Sequence, residues 1–396
     1  MRIGIDCRAI GNPDAREGAG VSQYIFGLVR ACCATPMHHE FVLFFHASFP
    51  RDVAAGMGKG SAVRRVFFPR DADRGVRRFF ENHYGIAKVM QDAKLDLAHI
   101  PAGAMPLALR VPTVVTVHDL LIYEHPEWFP RQPLSVHITY PRTLRRARHC
   151  FAVSDATKNH LVRRFAIPEN RVTVTHPGIS FADRARNAGE GNARGDALGE
   201  TQRENGAGEK PYLLFLGTLE PRKNIAVLLE AYERAWRASQ LVRGTELCIA
   251  GALGWHTEPI QRAFDRVHRA TSGAVRLVGY VSEHEKAMLL RAARLFVFPS
   301  LGEGFGLPVL EALAYGIPTI VSDLPVFHEV AGDAALYVDP KNREQLAAAM
   351  VQVLTDQALS RRLAALGKPR ASLFSWEQTA RGTLAVYERA GLPMPA

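Results

Sequence analysis

The segment LFVFPSLGEGFGLPVLEALAYGIPTIVS, residues 295–322, contains the pattern that decides the fold. Its apolar run LFVF leads into a glycine-rich turn at 302–306, and a helical pattern follows that ends at Gly316. A second apolar run, TIVS, comes next at 319–322. A short apolar run, a turn, a helix and another apolar run form the unit of a parallel sheet covered by helices. The segment therefore predicts a β-α-β unit.

The same alternation extends from this unit towards the N-terminus. Eight further short apolar runs precede it, at 2–6, 41–45, 97–100, 113–118 and 150–154, then at 212–217, 246–251 and 275–279. Amphipathic helical patterns lie between these runs, for example at 21–34 and 225–239. The prediction is an α/β protein with two doubly wound parallel sheets.

A polar segment, residues 181–210, separates the two series of strands. It is rich in Gly, Ala, Asn and charged residues, and it contains one aromatic residue and one Leu. Such a composition cannot bury enough apolar surface to offset the entropy lost on ordering, which favours a flexible linker or an exposed insertion. We expect an N-terminal domain over 1–180 and a C-terminal domain over 211–375. A last helix, within 376–396, is expected to pack back on the N-terminal domain.

The composition is that of an ordinary globular protein. Of 396 residues, 47% are apolar and 22% are charged, which excludes a disordered chain. No apolar stretch approaches the roughly 18 residues of a membrane-spanning helix, and the first residues, MRIGIDCRAIG, do not resemble a signal peptide. The five cysteines include no C-x-x-C pair, so we interpret them as reduced core thiols. We expect a cytoplasmic protein.

Positive charge is concentrated in the first half of the chain. The net charge is +10, and residues 1–180 contain 24 basic and 15 acidic side chains. The densest cluster contains Arg64, Arg65, Arg74, Arg77 and Arg78, with Phe67, Phe68, Phe79 and Phe80 beside them. One interpretation is a solvated arginine face, and the other is a surface for an anionic partner such as nucleic acid, acidic lipid or a phosphorylated acceptor.

Two stretches of the second half carry candidate chemistry. Glu303 lies in the glycine-rich turn and Glu311 lies eight residues further on, about two helical turns away. In the stretch FLGTLEPRKNI, residues 215–225, Arg222 and Lys223 stand where a loop enters a helix. Cations are unfavourable beside the positive end of a helix dipole unless an anion lies between them. Guanidinium, ammonium and backbone N–H groups together suit a diphosphate.

These motifs resemble those of the retaining glycosyltransferases of family 4. The resemblance rests on Glu303 and Glu311 as an E-x7-E pair, on GTLEPRKN at 217–224, and on VGYVS at 278–282. GAGVSQY at 18–24, TVHDL at 116–120 and AVSDATK at 152–158 extend it over nearly the whole chain. It implies the GT-B fold, in which two Rossmann-like domains face each other across a cleft. The long polar segment 181–210 departs from the usual hinge of the family.

The resemblance also implies roles for individual residues. Arg222 and Lys223 would bind the donor diphosphate and stabilise the leaving group, in place of a metal ion; Glu303 would contact the donor sugar, Glu311 the ribose, and His118 would point towards the sugar. The remaining donor-binding residues that it implies are Gly18 and Gly20 over the phosphates, Tyr280 and Val281 beside the base, and Gly304, Phe305, Gly306 and Leu307 around the sugar.

The expected activity is hexose transfer with retention, and its best candidates are mannose or rhamnose from a GDP-sugar. The acceptor would be a lipid-linked or glycan molecule of surface polysaccharide (O-antigen) assembly, and no metal cofactor is expected. Weak contact with an anionic membrane would place the enzyme at the inner face of the cytoplasmic membrane. Two alternatives stay open: another GT-B nucleotide-sugar enzyme, such as a synthase or an epimerase, and a basic non-catalytic protein that binds nucleic acid.

Overall fold

The protein is described here by a computed structural model, which covers residues 1–10, 19–36, 38–58, 62–68, 80–130, 134–179 and 210–391. Residues 181–209 of the predicted linker 181–210, together with Gly18 and the arginines at 70–78, lie outside the described residues. The chain divides into two compact units. The first contains Met1–Leu120, Arg131–Gly178 and Phe374–Ala396, and the second contains Leu121–Pro130 and Ile179–Leu373.

A seven-stranded parallel sheet forms the centre of the first unit. Its order is β3-β2-β1-β4-β5-β6-β7. The strands are β1 (Arg2–Asp6), β2 (Glu40–Phe45), β3 (Val63–Phe67), β4 (Leu97–Ile100), β5 (Thr113–Val117), β6 (His149–Ala152) and β7 (Val172–Val174). The α-helices that the first half of the chain contributes are α1 (Ala19–Ala34), α2 (Arg51–Gly56), α3 (Ile86–Asp92), α4 (Leu121–Glu124), α5 (Leu134–Arg146) and α6 (Asp155–Phe165). Of these, α4 belongs to the second unit.

A six-stranded parallel sheet forms the centre of the second unit. Its order is β10-β9-β8-β11-β12-β13. The strands are β8 (Tyr212–Leu216), β9 (Glu246–Ala250), β10 (Val275–Gly279), β11 (Leu295–Phe298), β12 (Thr319–Ser322) and β13 (Leu336–Val338). The helices are α7 (Ile225–Ala238), α8 (Gln240–Arg243), α9 (Glu258–Ala270), α10 (Glu283–Ala292), α11 (Leu307–Ala314), α12 (Pro325–Ala331), α13 (Arg343–Thr355) and α14 (Gln357–Ser372).

The central strands are buried on both faces, which explains why they are continuous apolar runs in the sequence. Every residue of β5, β8 and β11 is buried. Strand order in the second sheet reverses between β8 and β11, which pair directly through Leu295 and Leu213. In open parallel sheets, ligands bind outside the carboxyl ends of the strands at such a reversal. The loops that follow β8 and β11 are therefore the expected ligand-binding loops of this sheet.

All ten predicted strands are present, and three short ones go beyond the prediction. These are β3, β7 and β13, of which β7 and β13 contain only three residues each. Strand β3, with the sequence VRRVF, lies within the arginine cluster. The Arg65 guanidinium does not face a partner surface: its Nε donates to the carbonyl of Ala54 at 2.7 Å and its Nη2 to that of Gly58 at 2.7 Å. These bonds satisfy carbonyls at the end of α2.

The aromatic side chains of the arginine cluster also differ from the sequence interpretation. Phe67 and Phe68 turn inward and stack on phenylalanines of β2, Phe45 at 5.5 Å and Phe44 at 6.0 Å between ring centroids. Consecutive residues of a strand point to opposite faces, so the half-buried Phe67 and the buried Phe68 cover β2 from opposite faces of the sheet. Phe80, in contrast, is 55% exposed. Of the described phenylalanines in this cluster, Phe80 alone offers a largely exposed ring.

Helix α14 includes the stretch LGKPRAS, residues 366–372. It continues to Ser372 although Pro369 lies inside it. A Cβ atom at Gly367 would lie 2.7 Å from the carbonyl oxygen of Leu313, so the two backbones approach closely. Proline removes one helical hydrogen bond. Close packing against α11 stabilises α14 on both sides of Pro369.

The last helix, α15 (Trp376–Gly391), packs in the first unit against α1 and strands β4 to β6. Tyr387 is fully buried, and its hydroxyl lies 2.5 Å from Nδ1 of His99 in β4. A Cβ atom at Gly27 would overlap the indole of Trp376, which shows how closely α1 and α15 approach. Of the helices in the described ranges, none has the length and apolar composition needed to cross a membrane.

Candidate functional site

The loops after β8 and β11 are held together at the carboxyl edge of the second sheet. Asn224 ends a 3-10 turn with a left-handed backbone (φ 59°), and its side-chain amide donates to the carbonyls of Pro299 and Pro340 at 3.1 and 2.7 Å. The backbone N–H of Leu301 donates to the carbonyl of Arg222 at 2.7 Å. These bonds connect the segment GTLEPRKN to the glycine-rich turn.

The structure brings three of the predicted catalytic residues into one ion cluster. Glu303 accepts from Nη1 of Arg222 at 2.7 Å and from Nζ of Lys223 at 2.5 Å. Nε of Arg222 also lies 2.6 Å from a carboxylate oxygen of Glu220. The Lys223 and Glu303 side chains are each 8% exposed. Two cations and two carboxylates are thus gathered almost out of contact with water, and sequence reasoning had not identified Glu220 as a member.

Electrostatics within the cluster favour an ionised Glu303. Burial alone would raise the pKa of this carboxyl, but the charges of Arg222 and Lys223 outweigh burial and lower the pKa to about 2. For Lys223, burial and then the charge of Arg222 lower the pKa below its ordinary value, despite the neighbouring Glu303. The mutual repulsion of the two cations is what a further anionic group would relieve.

The glycine-rich turn ends at a helix N-terminus. Gly306 has a left-handed backbone (φ 99°), and a Cβ atom there would lie only 2.8 Å from Cε1 of Phe327. Glycine is required on both grounds. Helix α11 begins at Leu307, and Pro308 has no N–H. The N–H groups of Val309 and Leu310 donate to the carbonyl of Gly306, so the N–H of Leu307 is the one that the first turn offers to a ligand. With Gly304 and Phe305, this turn forms a backbone surface suited to hydroxyl or phosphate oxygens.

Glu311 belongs to a second ion cluster. Nζ of Lys286 lies 2.7 Å from Glu311 and 2.9 Å from Glu283. Burial alone would lower the pKa of Lys286, but Glu311 and Glu283 together raise it. Sequence reasoning had missed Lys286, although a signal was available: Ser282 and Glu285 form a capping box that marks the start of α10. This start places Lys286 in the first turns of the helix.

Tyr280 and Val281 lie directly before that helix. They follow β10, an edge strand, and the Tyr280 side chain is partly exposed. Gly279 precedes them with a left-handed backbone (φ 80°), which turns the chain out of the strand. A partly exposed ring beside the Lys286 cluster has a geometry suited to stacking on a planar base.

The predicted site residues of the N-terminal half belong to the other unit. Nε2 of His118 donates to the carbonyl of Pro101 at 2.8 Å, and the ring meets Tyr24 edge-on with centroids 4.8 Å apart. Burial lowers the pKa of His118, which favours a neutral imidazole with Nδ1 as the acceptor. The predicted helical pattern starts at residue 21, but α1 already begins at Ala19, so Gly20 lies in its first turn.

Two family models match this chain, one after the other along its length. Residues 18–182 match the model described as Glycosyltransferase Family 4, and residues 199–370 match the one described as Glycosyl transferases group 1. The O-antigen chain mannosyltransferase B of Escherichia coli is 30% identical over 376 residues, with 93% of this chain and 96% of that protein covered. The O-antigen chain mannosyltransferase RfbU of Salmonella typhimurium is 27% identical over 239 residues, 60% of each chain.

Solved structures resemble the whole chain in fold. The sucrose-phosphate synthase of Thermosynechococcus elongatus has a TM-score of 0.74 at 19% identity, with 98% of both chains covered. Together with the two parallel sheets, this similarity confirms the GT-B fold expected from the sequence motifs.

Proposed function

The chain belongs to the group 1 glycosyltransferases of family 4, and from this premise we propose that it transfers a mannosyl residue from GDP-mannose, with retention, to a glycan of O-antigen assembly. Because the chain belongs to this family and is similar to these mannosyltransferases, it is a glycosyltransferase. The donor, the stereochemistry and the acceptor are our proposal. Both relatives are mannosyltransferases, which supports mannose over rhamnose.

The observation that carries the proposal is the cluster of Arg222, Lys223 and Glu303. A nucleoside diphosphate leaving group gains negative charge as its bond to the sugar breaks. Preorganised cations in a site with little water stabilise such charge strongly, because the effective dielectric constant is low. Arg222 and Lys223 are held in position by Glu303 and Glu220 before any donor arrives.

Glu303 has a second role in this scheme. Its position in the turn after β11 puts it beside the first turn of α11. When diphosphate oxygens take over Arg222 and Lys223, the Glu303 carboxylate becomes available to accept hydrogen bonds from sugar hydroxyls. This exchange of partners would couple donor binding to sugar orientation.

The Lys286 cluster is proposed to recognise the nucleoside. Glu311, held by Lys286, would accept hydrogen bonds from the ribose hydroxyls, and Tyr280 with Val281 would border the base. A carboxylate that accepts from two hydroxyls gives a strong, directional contact. Because Lys286 and Glu283 also engage each other, the carboxylate of Glu311 stays positioned without a nucleotide.

Retention is proposed to arise from attack on the same face of the sugar, assisted by the leaving phosphate. In the described residues, the one carboxylate that we place beside the sugar, Glu303, is held by two cations. In the donor complex, that carboxylate is proposed to accept hydrogen bonds from sugar hydroxyls, which makes it a weaker nucleophile. Electrostatic stabilisation and positioning would then account for catalysis, and the two cations would do the work of a metal ion.

The test is product analysis with a labelled donor. The purified protein is incubated with GDP-mannose, GDP-rhamnose, UDP-glucose or UDP-N-acetylglucosamine and a synthetic α-mannoside acceptor, and the new linkage is assigned by NMR. We expect transfer from GDP-mannose with an α-linkage. A β-linked product would overturn retention, and transfer from another donor alone would overturn the assignment of GDP-mannose.

A further inference from the structure

Ten residues from the middle of the N-terminal half pack in the second unit. Leu121–Pro130 follows β5 of the first sheet in sequence but belongs to the unit that contains the ion clusters. It consists of the short helix α4 and a 3-10 turn, Pro126–Trp128. A Cβ atom at Gly302 would lie 3.0 Å from Cζ3 of Trp128 and 3.1 Å from Cδ2 of Leu121. Both side chains therefore touch the turn that carries Glu303.

A second indole adjoins the first. Trp255 lies in the loop after β9, and its Nε1 donates to the carbonyl of Trp128 at 2.7 Å. The ring of Phe129 lies 6.3 Å from that of Trp255. The loop of Trp255 is in turn bonded to the segment GTLEPRKN, because the N–H of Gly254 donates to the carbonyl of Leu219 at 3.0 Å. These contacts join the rings to both loops of the ion cluster.

The rings have a polar edge. The imidazole of His125 stacks on Trp128 with centroids 3.9 Å apart and planes inclined by 13°. Its Nδ1 lies 3.1 Å from a carboxylate oxygen of Glu127. Both polar side chains are exposed, at 43% and 63%. We call the set His125, Glu127, Trp128, Phe129 and Trp255 the aromatic cluster.

We propose that the aromatic cluster binds a sugar unit of the acceptor glycan. A pyranose presents C–H groups on its faces and hydroxyls around its rim, so aromatic rings and a carboxylate–imidazole pair match both parts. The direct contact of Trp128 with Gly302, one residue before Glu303, makes this surface continuous with the proposed donor site. The inference rests on the proposed function, because that function supplies the glycan as the occupant.

Binding away from the reacting sugar has a catalytic consequence. Interaction energy from remote acceptor units can orient the attacking hydroxyl, so acceptors with more units should react faster rather than only bind more tightly. The terminal unit would lie at the donor, and an inner unit would lie on the aromatic cluster. An acceptor of one unit would not reach both.

The experiment measures binding of methyl α-mannotrioside to the GDP-saturated protein by calorimetry. We expect Trp128→Ala to weaken trioside binding at least tenfold and Glu127→Gln about threefold, with GDP affinity within twofold of wild type in both. Trp236→Ala is the matched control. The Trp236 indole lies near the C-terminal end of α7, with Cζ of Arg243 5.5 Å from its ring centroid. Its loss should change neither the trioside affinity nor the GDP affinity.

Glu127→Gln alters an exposed side chain, so it keeps the test valid where Trp128→Ala disturbs folding. Trioside affinity within twofold of wild type in Glu127→Gln and in a folded Trp128→Ala would overturn the proposal, and so would a wild type that does not bind the trioside. Failure of the proposed function would be seen separately, as a wild type that transfers no sugar from GDP-mannose.

Discussion

Nζ of Lys223 lies 2.5 Å from Oε1 of Glu303 and 4.9 Å from the ring centroid of Phe298. The ammonium group thus has a carboxylate on one side and an aromatic ring on another, in a place that water hardly reaches. Desolvation raises the cost of holding a charge there, and both neighbours offset part of that cost. The ammonium group of Lys223 is thus held in place at the position where, under the proposed function, the donor diphosphate binds.

Loss of the ammonium group should affect turnover more than binding. In Lys223→Ala we expect kcat to fall about 100-fold, as for removal of other transition-state donors, and the Kd for GDP to rise only a fewfold. The reason is that the charge which Lys223 meets grows as the leaving group departs. Steady-state kinetics with calorimetry on GDP separates the two effects. A change confined to KM would contradict the role.

The two glutamates should differ in their effects on GDP. Glu311→Gln should weaken GDP binding about tenfold, since its proposed contacts are to ribose. Glu303→Gln should leave GDP binding intact or tighten it, because it removes a carboxylate that competes for Arg222 and Lys223, yet it should lower turnover. Calorimetry with GDP on both variants makes the comparison. Equal losses of GDP affinity would show that this division of roles is wrong.

The Glu303 ion pairs should make the stability of the second unit sensitive to acid. The folded pKa of about 2 lies below the ordinary value of 4.5. A depressed carboxyl pKa contributes stability above the unfolded pKa, and this contribution is lost as the pH falls from about 4.5 towards 2. We expect wild type to exceed Glu303→Gln in thermal stability at neutral pH, with the gap closing at about pH 3. A gap that is independent of pH would contradict the assigned pKa.

Transfer should not need a divalent metal. Because Arg222 and Lys223 are proposed to supply the positive charge at the leaving group, activity should survive excess EDTA and should not rise with Mg²⁺ or Mn²⁺. The chain does contain one D-x-D pair, Asp71 and Asp73, which lies outside the described residues. The control is therefore Asp71→Asn with Asp73→Asn. Two results together would assign a metal to these carboxylates. EDTA would abolish the activity of wild type, and the activity of the double variant would no longer respond to added metal.

The arginine cluster should promote binding to anionic membranes. Arg64, Arg74, Arg77 and Arg78 could each add about 1 kcal/mol near an anionic surface, with Phe80 entering the interface. Arg65 is left out because its guanidinium is bonded to backbone carbonyls at the end of α2. We expect co-sedimentation with phosphatidylglycerol vesicles at low salt, reduced at high salt and absent with neutral vesicles.

Reversing the charge at Arg74, Arg77 and Arg78 should abolish vesicle binding and spare transfer to a free mannoside. The matched control is Arg361→Glu, an exposed arginine on α14 in the second unit. A wild type that ignores anionic vesicles at low salt would show that the basic cluster has another purpose.

Much of the site was readable from the sequence because its residues are local in the chain. Glu303 and the glycines after β11, and Arg222 with Lys223 after β8, each follow an apolar run that could only be a buried parallel strand. Parallel strands place their carboxyl ends at one edge, so the two loops had to meet where the strand order reverses. Period and spacing contain that information, and no long-range contact is needed to extract it.

The sequence by itself determined the ten main strands, the two doubly wound sheets and three of the four groups of the ion cluster, with Glu220 as the exception. Only the tertiary structure decided that Lys286 holds Glu311, that Phe67 and Phe68 turn inward, that α14 continues through Pro369, and that Trp128 packs on Gly302. Each of these depends on contacts between segments distant in the chain. Such contacts are selected by packing and charge compensation in the folded state, and hydrophobic periodicity does not record them.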